Sequence, residues 1–367
     1  MIDDHAHPFP LEFEPFDTEA LGLQLTGPEP TELDRRHRLA PGRLFAHLME
    51  SRLAGLLGVP DGEDVGPARD DLARRDWPAY VQMLFDDADL TGVILDDSLH
   101  PDEPTQPASV YAAIAGRAVW KMARLDPLVD SLVERNASAS EIVAEVERYM
   151  TAASDAGAVA FKTILAYRTG LAVDPNVDLV EAQRSLAADV PVRRRGKALR
   201  DLVLRAALAR AADLGRPLQI HTGFGDSQLR LAESDPLLLE EVLRTPEGTA
   251  ATVILIHGSF PWHEQAAYLA SVRPNVWVEV SLSNLFAPMH TADRLLRILD
   301  VAPRGRVLLG SDGHGLPETH WFGCRVLLDA WTEVAAGLTS AGARPDWVEQ
   351  TRLALFENNA ESVYGLA

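Results

Sequence analysis

Val253-Ile254-Leu255-Ile256-His257 is a short apolar run that ends in an imidazole, and the rest of the chain repeats its form. Pro217-Leu218-Gln219-Ile220-His221 does the same, and Val307-Leu308-Leu309-Gly310-Ser311-Asp312 ends in a carboxylate instead. Runs of this length and composition read as strands. Several are followed by longer segments with a 3.6-residue apolar period, which read as helices. Regular alternation of the two implies a parallel sheet. The expected strands are Met1 to Asp4, Gly92 to Asp96, Val119 to Arg124, Ala158 to Thr163, Pro217 to His221, Thr252 to His257, Asn275 to Val280 and Arg306 to Gly310, eight in all. The connecting helices are clearest at Lys197 to Leu214, Trp262 to Val272, Thr291 to Leu299 and Asp346 to Tyr364, where Ala, Leu, Arg and Glu dominate. Eight strands in 367 residues predict an α/β fold of the (β/α)8 TIM-type barrel, which needs roughly 250 residues and leaves the remainder for decoration.

The gap between strands 1 and 2 places that decoration. Pro8 to Asp89 is far longer than an ordinary loop, so it is expected to be a largely helical insertion, with helical pieces near Thr31 to Leu57 and Asp70 to Asp87 lying over the mouth of the barrel. Pro28, Pro30, Pro41, Gly42, Pro60, Gly62 and Pro67 punctuate it, which favours an irregular cap within one domain spanning residues 1–367 over a second independent domain. Hydrophobic residues make up 47% and charged residues 24%, the values of an ordinary globular protein with a large core. A formal net charge of -20 repels phosphate backbones and anionic lipid, so neither nucleic acid nor membrane is an expected partner. The basic run Arg193-Arg194-Arg195-Gly196-Lys197 reads as a solvated turn at a helix start. The single cysteine, Cys324, cannot form an internal disulfide. No basic leader or apolar run of about 18 residues is visible, and a cytoplasmic location is expected.

His5-Ala6-His7 is a weak signal by itself, and its position strengthens it. In a strand, residues i and i+2 share a face, so both imidazoles at the end of strand 1 can grip one cation. His221, His257 and Asp312 stand at the ends of three further strands, and strand ends of a barrel converge on one mouth. Each histidine taken singly could be a satisfied core residue. Together they offer imidazole nitrogen and carboxylate oxygen, the donors that a borderline metal such as zinc prefers.

The order His-x-His, Lys162, His221, His257, Asp312 on strands 1, 4, 5, 6 and 8 resembles the amidohydrolase superfamily. The stretches Phe161-Lys162-Thr163-Ile164-Leu165-Ala166-Tyr167-Arg168-Thr169-Gly170-Leu171, Gln219-Ile220-His221-Thr222-Gly223-Phe224-Gly225-Asp226 and Tyr268-Leu269-Ala270-Ser271-Val272 resemble its amidohydrolase-related branch, which also occurs fused ahead of glutamine-synthetase-like domains in nodulin-type proteins. Ser311-Asp312-Gly313 with Pro317-Glu318, and the ending Asn359-Ala360 to Tyr364-Gly365-Leu366, fit the same branch. The resemblance implies a metal set of His5, His7, Lys162, His221, His257 and Asp312, holding one or two divalent ions, zinc foremost. Lys162 can ligate only as a carbamate, because an ammonium has no lone pair; two ions are then expected, and one if Lys162 instead pairs with a carboxylate or holds substrate. Asp312 as general base and His257 beside it are the catalytic assignments.

Arg124 and Arg168 lie at or just beyond the ends of strands 3 and 4, where a guanidinium fork could hold a substrate carboxylate; a structural ion pair is the alternative for each. Tyr167 and Trp321 complete the expected substrate pocket, and Asp226, Glu279, Glu318 and His314 are supporting candidates. His37, His47, His100, His263, His290 and His320 receive no role. The expected activity is metal-dependent hydrolysis of a C–N bond, an amide of γ-glutamyl or similar type by analogy with the fused relatives, in a small carboxylate-bearing substrate. Decarboxylation, sugar-acid isomerisation and an inactive scaffold are the alternatives, and association into a homodimer is left open.

Overall fold

The computed structural model describes residues 1–17, 21–22, 42–96 and 105–366. Its sheet contains eight strands: β1 (Ile2–Ala6), β2 (Gly92–Asp96), β3 (Ala118–Arg124), β4 (Ala160–Thr163), β5 (Leu218–His221), β6 (Val253–Ile256), β7 (Val276–Val280) and β8 (Val307–Leu309). Each strand runs parallel to its sequence neighbour, from β1 through to β8. The ring closes just past the end of β8, where the Asp312 amide donates to the His5 carbonyl and the His7 amide donates to the Gly313 carbonyl, both at 2.8 Å. Asp3 strengthens the seam by accepting from the Ser311 amide at 2.7 Å and from its hydroxyl at 2.5 Å. The fold is therefore the α/β barrel of TIM type that the strand pattern predicts.

Period-two alternation sorts the strand residues. Ile254 and Ile256 pack with Ile2, Ile94, Met122, Ala160 and Leu308 inside the barrel, while Val253 and Leu255 join the larger cluster between sheet and helices. Local signals fix the surrounding helices. Ser138 and Glu141 form a reciprocal capping box at the start of Ala139–Asp155, whose Ile142, Val146 and Met150 recur every four residues and are buried. The expected helix at Asp346 to Tyr364 is divided, since a π-helical turn at Ala354–Asn358 separates Pro345–Leu353 from Asn359–Tyr364.

Within the insertion, helices Leu44–Leu57, Gly66–Arg75 and Trp77–Asp87 are seen; the stretch expected to begin a helix at Thr31, together with Pro28, Pro30, Pro41, His37 and His100, lies outside the described residues. Met49, Leu53, Tyr80 and Leu84 are buried in the same apolar cluster as Leu255, so these helices share the barrel's core. They meet the long Pro317–Ser340 helix, with Arg52 paired to Asp329 at 2.7 Å and over the Phe322 ring at 5.6 Å. Phe45 reaches the short helix Ser283–Phe286 after β7, edge-on to Phe286 at 4.7 Å. The described part of the insertion thus flanks the barrel and touches the rim.

Below the strand ends, the C-terminal Asn359–Tyr364 helix plugs the barrel interior. The fully buried Tyr364 hydroxyl donates to Asp4 Oδ2 at 3.0 Å and accepts from Gln219 Nε2 at 2.7 Å. Replacing Tyr364 with Phe leaves Asp4 Oδ2 without this donor and Gln219 Nε2 with only its 3.3 Å bond to the Asp4 carbonyl, both buried, and a loss of about 1–3 kcal/mol is expected. Urea denaturation measures it; an unchanged midpoint would show that the plug does not depend on this hydroxyl.

Candidate metal centre

The two histidines of β1 reach the barrel axis through an irregularity. Asp3 pairs with Val93 and Ala6 with Leu95, so three steps along β1 match two along β2: a bulge with one extra residue. Asp4 and His5 consequently both turn inward, and His7 follows on the same side as His5. Asp312 enters from across the seam, held in the left-handed region at φ 57°. Its Oδ1 lies 3.2 Å from His5 Nε2 and 3.3 Å from His7 Nε2. His5, His7 and Asp312 are all buried and offer ligand atoms within 4.8 Å of one another. His257 also relies on an unusual backbone. Alternation along β6 puts Ile254 and Ile256 inside, which would send the next residue outward, but His257 adopts φ 68° and joins the inner group. The imidazoles form a chain of edge-on neighbours, with centroids 5.5 Å apart for His7 and His5, 5.3 Å for His5 and His257, and 4.5 Å for His257 and His221.

Hydrogen bonds to the far ring nitrogens fix the tautomers. His7 Nδ1 stands 2.9 Å from the Asp96 carbonyl, which can only accept, so the proton sits on Nδ1 and the Nε2 lone pair faces Asp312. The Ser281 hydroxyl donates to Glu279 Oε2 at 2.7 Å and lies 2.8 Å from His257 Nδ1, which leaves His257 Nε2 unprotonated. Lys162 Nζ lies 2.8 Å from His5 Nε2 and 3.1 Å from Asp96 Oδ2. Lone pairs on His7 and Asp312 that face each other across about 3 Å with no proton between them repel unless a cation joins them. His221 Nε2 is likewise buried with no hydrogen-bond partner among the described residues. This donor set fits a divalent metal ion, with His5, His7 and Asp312 as its nucleus and His221 and His257 beside them.

Burial lowers the pKa of His5, His7, His221 and His257, that of His221 to about 3, so all four are neutral and able to ligate at physiological pH. Burial alone would raise Asp312, but the surrounding imidazoles of His257, His5 and His7 outweigh it and hold the carboxyl well below the usual range. Asp96 behaves the same way: Arg124 and Lys162 override its burial and keep it ionised.

The remaining sequence candidates divide. Arg124 is at the edge of the centre, giving Nε and Nη2 to Asp96 Oδ2 at 2.9 and 2.5 Å. Tyr167 packs edge-on against His221 at 4.8 Å, and its hydroxyl accepts from the Asp226 amide; a Cβ at position 225 would meet that hydroxyl at 1.8 Å, so glycine is required there. Arg168 is held by Asp130 at 2.9 Å, and the same carboxylate holds Arg200. Trp321 is buried between helices with its indole donating to Asp87 at 2.7 Å, and the structure does not bring it to the histidines. His314 stands beside the centre, its ring 6.2 Å from His7 and its Nδ1 on the Asp312 carbonyl. Sequence reasoning missed Asp96, although the signal was present: an apolar run, Val93-Ile94-Leu95, that ends in a carboxylate as β8 does. It also missed Ser281, for which no local pattern exists.

A fold of this kind with histidines and an aspartate at its strand ends defines a metal-dependent class of barrel proteins. The amidohydrolase family model matches residues 2–366, and the chain belongs to that family. Among individual proteins, it is 28% identical to Protein fluG of Emericella nidulans over 91% of this chain, and it spans 42% of that protein's length. A candidate metal-dependent hydrolase from Lactobacillus casei superposes with a TM-score of 0.87 at 23% identity, covering 99% of this chain and 94% of the other. The uronate isomerase of Thermotoga maritima superposes at 0.69 with 14% identity, again over 99% and 94% of the two chains. At these identities the two structures speak to the fold.

Two predictions follow from the buried charges. Replacing Asp96 with Ala leaves Arg124 buried without its partner, and a destabilisation of about 3–5 kcal/mol is expected by chemical denaturation. A variant as stable as the parent would remove Asp96 from the centre's support. The depressed histidine pKa values set the sign of the second: the imidazoles protonate at lower pH than free imidazole does, so protons compete less well for them. Zinc affinity, measured with a competing chelator, should fall less between about pH 7.5 and about pH 5.5 than that of free imidazole, which with a pKa of about 6.5 becomes largely protonated over this range. A fall matching that of free imidazole would contradict it.

Proposed function

We propose that this chain is a metal-dependent hydrolase that cleaves a C–N bond, an amide of γ-glutamyl or similar type, in a small substrate bearing a carboxylate. The observation that carries the reading is the placement of the Asp312 carboxylate, ionised and 3.2–3.3 Å from two imidazole nitrogens at the mouth of the barrel. A divalent ion bound there, with zinc the best match to the donors, supplies Lewis acidity that acidifies water and polarises a carbonyl. Asp312 accepts the proton of the attacking water and returns it to the departing nitrogen, a general-base role suited to a buried carboxylate that remains ionised. His257, oriented by Ser281, lies against His5 and His221 and lines the same face. Arg124, whose Nη1 takes no part in its pair with Asp96, is the anchor for a substrate carboxylate. Arg168, tied to Asp130, is the weaker anchor.

Lys162 separates two versions of this chemistry. Burial lowers its pKa and favours the neutral amine, which can add carbon dioxide to give a carbamate and a proton; the carbamate would then join the ligand set and make room for a second ion. The ion pair with Asp96 at 3.1 Å favours an unmodified ammonium and a single ion, the arrangement that suits decarboxylation or sugar-acid isomerisation.

Metal analysis with intact-mass measurement distinguishes them: two equivalents and a mass increment of one carbon dioxide support the binuclear hydrolase. Metal-loaded protein is then assayed on γ-glutamyl and other small amides, uronic acids and aromatic acids. Amine release from an amide is expected, and Asp312→Asn should retain much of the metal while lowering turnover by roughly 100-fold or more. Isomerisation of a uronate or release of carbon dioxide, with every amide left intact, would replace hydrolysis by the alternative.

A further inference from the structure

Arg69, in the insertion helix Gly66–Arg75, is completely buried and ringed by aromatic faces, with Phe13, Phe16, Trp77 and Tyr80 at 5.9, 5.5, 5.3 and 5.2 Å from its guanidinium carbon. Its Nε donates to Glu318 Oε1 at 2.7 Å, and the Tyr80 hydroxyl donates to the same oxygen at 2.6 Å. Glu318 is the second residue of the Pro317–Ser340 helix, and its two successors brace the loop that carries Asp312. The Thr319 hydroxyl accepts from the His314 amide at 2.9 Å. Gly313 lies so close to His320 that a Cβ at 313 would come within 2.5 Å of its ring and 2.6 Å of its backbone nitrogen. Three consecutive residues therefore hold the insertion, His314 and Gly313, and the residue immediately before Gly313 is Asp312 in its left-handed conformation.

The pair is poorly built for stability. It makes one hydrogen bond in place of a bidentate fork, and Arg69 Nη2 and Glu318 Oε2 are buried with no hydrogen-bond partner among the described residues. A buried pair of this kind contributes little over apolar residues of similar volume. What it supplies is a directional contact at one place: the helix start behind the metal loop.

We propose that Arg69 and Glu318 are positioning residues of the metal centre: the insertion, through this contact, fixes the first turn of the Pro317–Ser340 helix and so holds Asp312 toward His5 and His7. The proposal rests on the metal-centre reading and adds that the centre is incomplete without the insertion. Co2+ is the probe, because its absorption bands report ligand geometry. The combined variant Arg69→Met, Glu318→Met, Tyr80→Phe removes the contact without leaving a buried charge unpaired; the other acceptors of Arg69, the Glu14 carbonyl and Asp70 Oδ1, belong to residues that water reaches. It is expected to melt close to the parent yet bind Co2+ more weakly by about tenfold or more, with shifted bands. Glu318→Gln keeps the shape and the accepting oxygen and should bind Co2+ like the parent. Parental affinity and spectrum in the combined variant overturn the proposal; if that variant does not fold, the same result in Arg69→Met, studied at low temperature, overturns it equally. Failure of the parent chain to bind Co2+ overturns the metal-centre reading and this proposal with it.

Discussion

The closing of the sheet between β1 and the end of β8 governs the rest of the molecule. Two backbone hydrogen bonds at 2.8 Å, from the Asp312 amide to the His5 carbonyl and from the His7 amide to the Gly313 carbonyl, make the ring continuous, and three of the residues that form them, His5, His7 and Asp312, are the ones whose side chains meet on the axis. Closure and site assembly are thus one event: nothing brings residue 312 to residue 5 except the completed circuit of strands. The seam is also where the backbone departs from regularity, with a bulge in β1 and a left-handed aspartate after β8. Such departures cost conformational energy, and they persist because Asp3, Ser311 and the seam bonds over-determine them.

Burial explains the electrostatics of the centre. It disfavours charge on every group, so the imidazoles are neutral and the Asp4 and Glu279 carboxyls deeper in the barrel are pushed well above the ordinary range. Asp312 and Asp96 remain ionised only because specific partners outweigh burial: imidazoles for the first, Arg124 and Lys162 for the second. The result is a layered interior with neutral acids below, neutral imidazoles above them, and one anionic oxygen among the imidazoles. A cation completes that arrangement without any new charge from the protein.

The insertion is part of this support as well as a flank of the barrel. Its helices share the barrel's apolar core, and Arg69 extends from it to the helix behind the Asp312 loop. The same logic accounts for the two arginines read as substrate anchors. A guanidinium at a strand end of an acidic protein finds a carboxylate of its own, Asp96 for Arg124 and Asp130 for Arg168, and only Arg124 does so beside the histidines.

From sequence alone came the number and order of the strands, because each is a local apolar run with a polar end, and the ligand types, because imidazole and carboxylate at strand ends are visible residue by residue. The helix at Lys197–Leu214 was legible to its last residue, before Gly215, and the π-helical turn near the C-terminus was not, since no local pattern marks it. Alternation by two could not place His257 inside the barrel: the rule sends it outward, and only the left-handed backbone at the end of β6 reverses it. The partners of Lys162, Arg124, Trp321 and Arg69 were likewise decided by tertiary structure. Long side chains choose among neighbours that are distant in sequence, and which neighbour is near depends on how the ring closes.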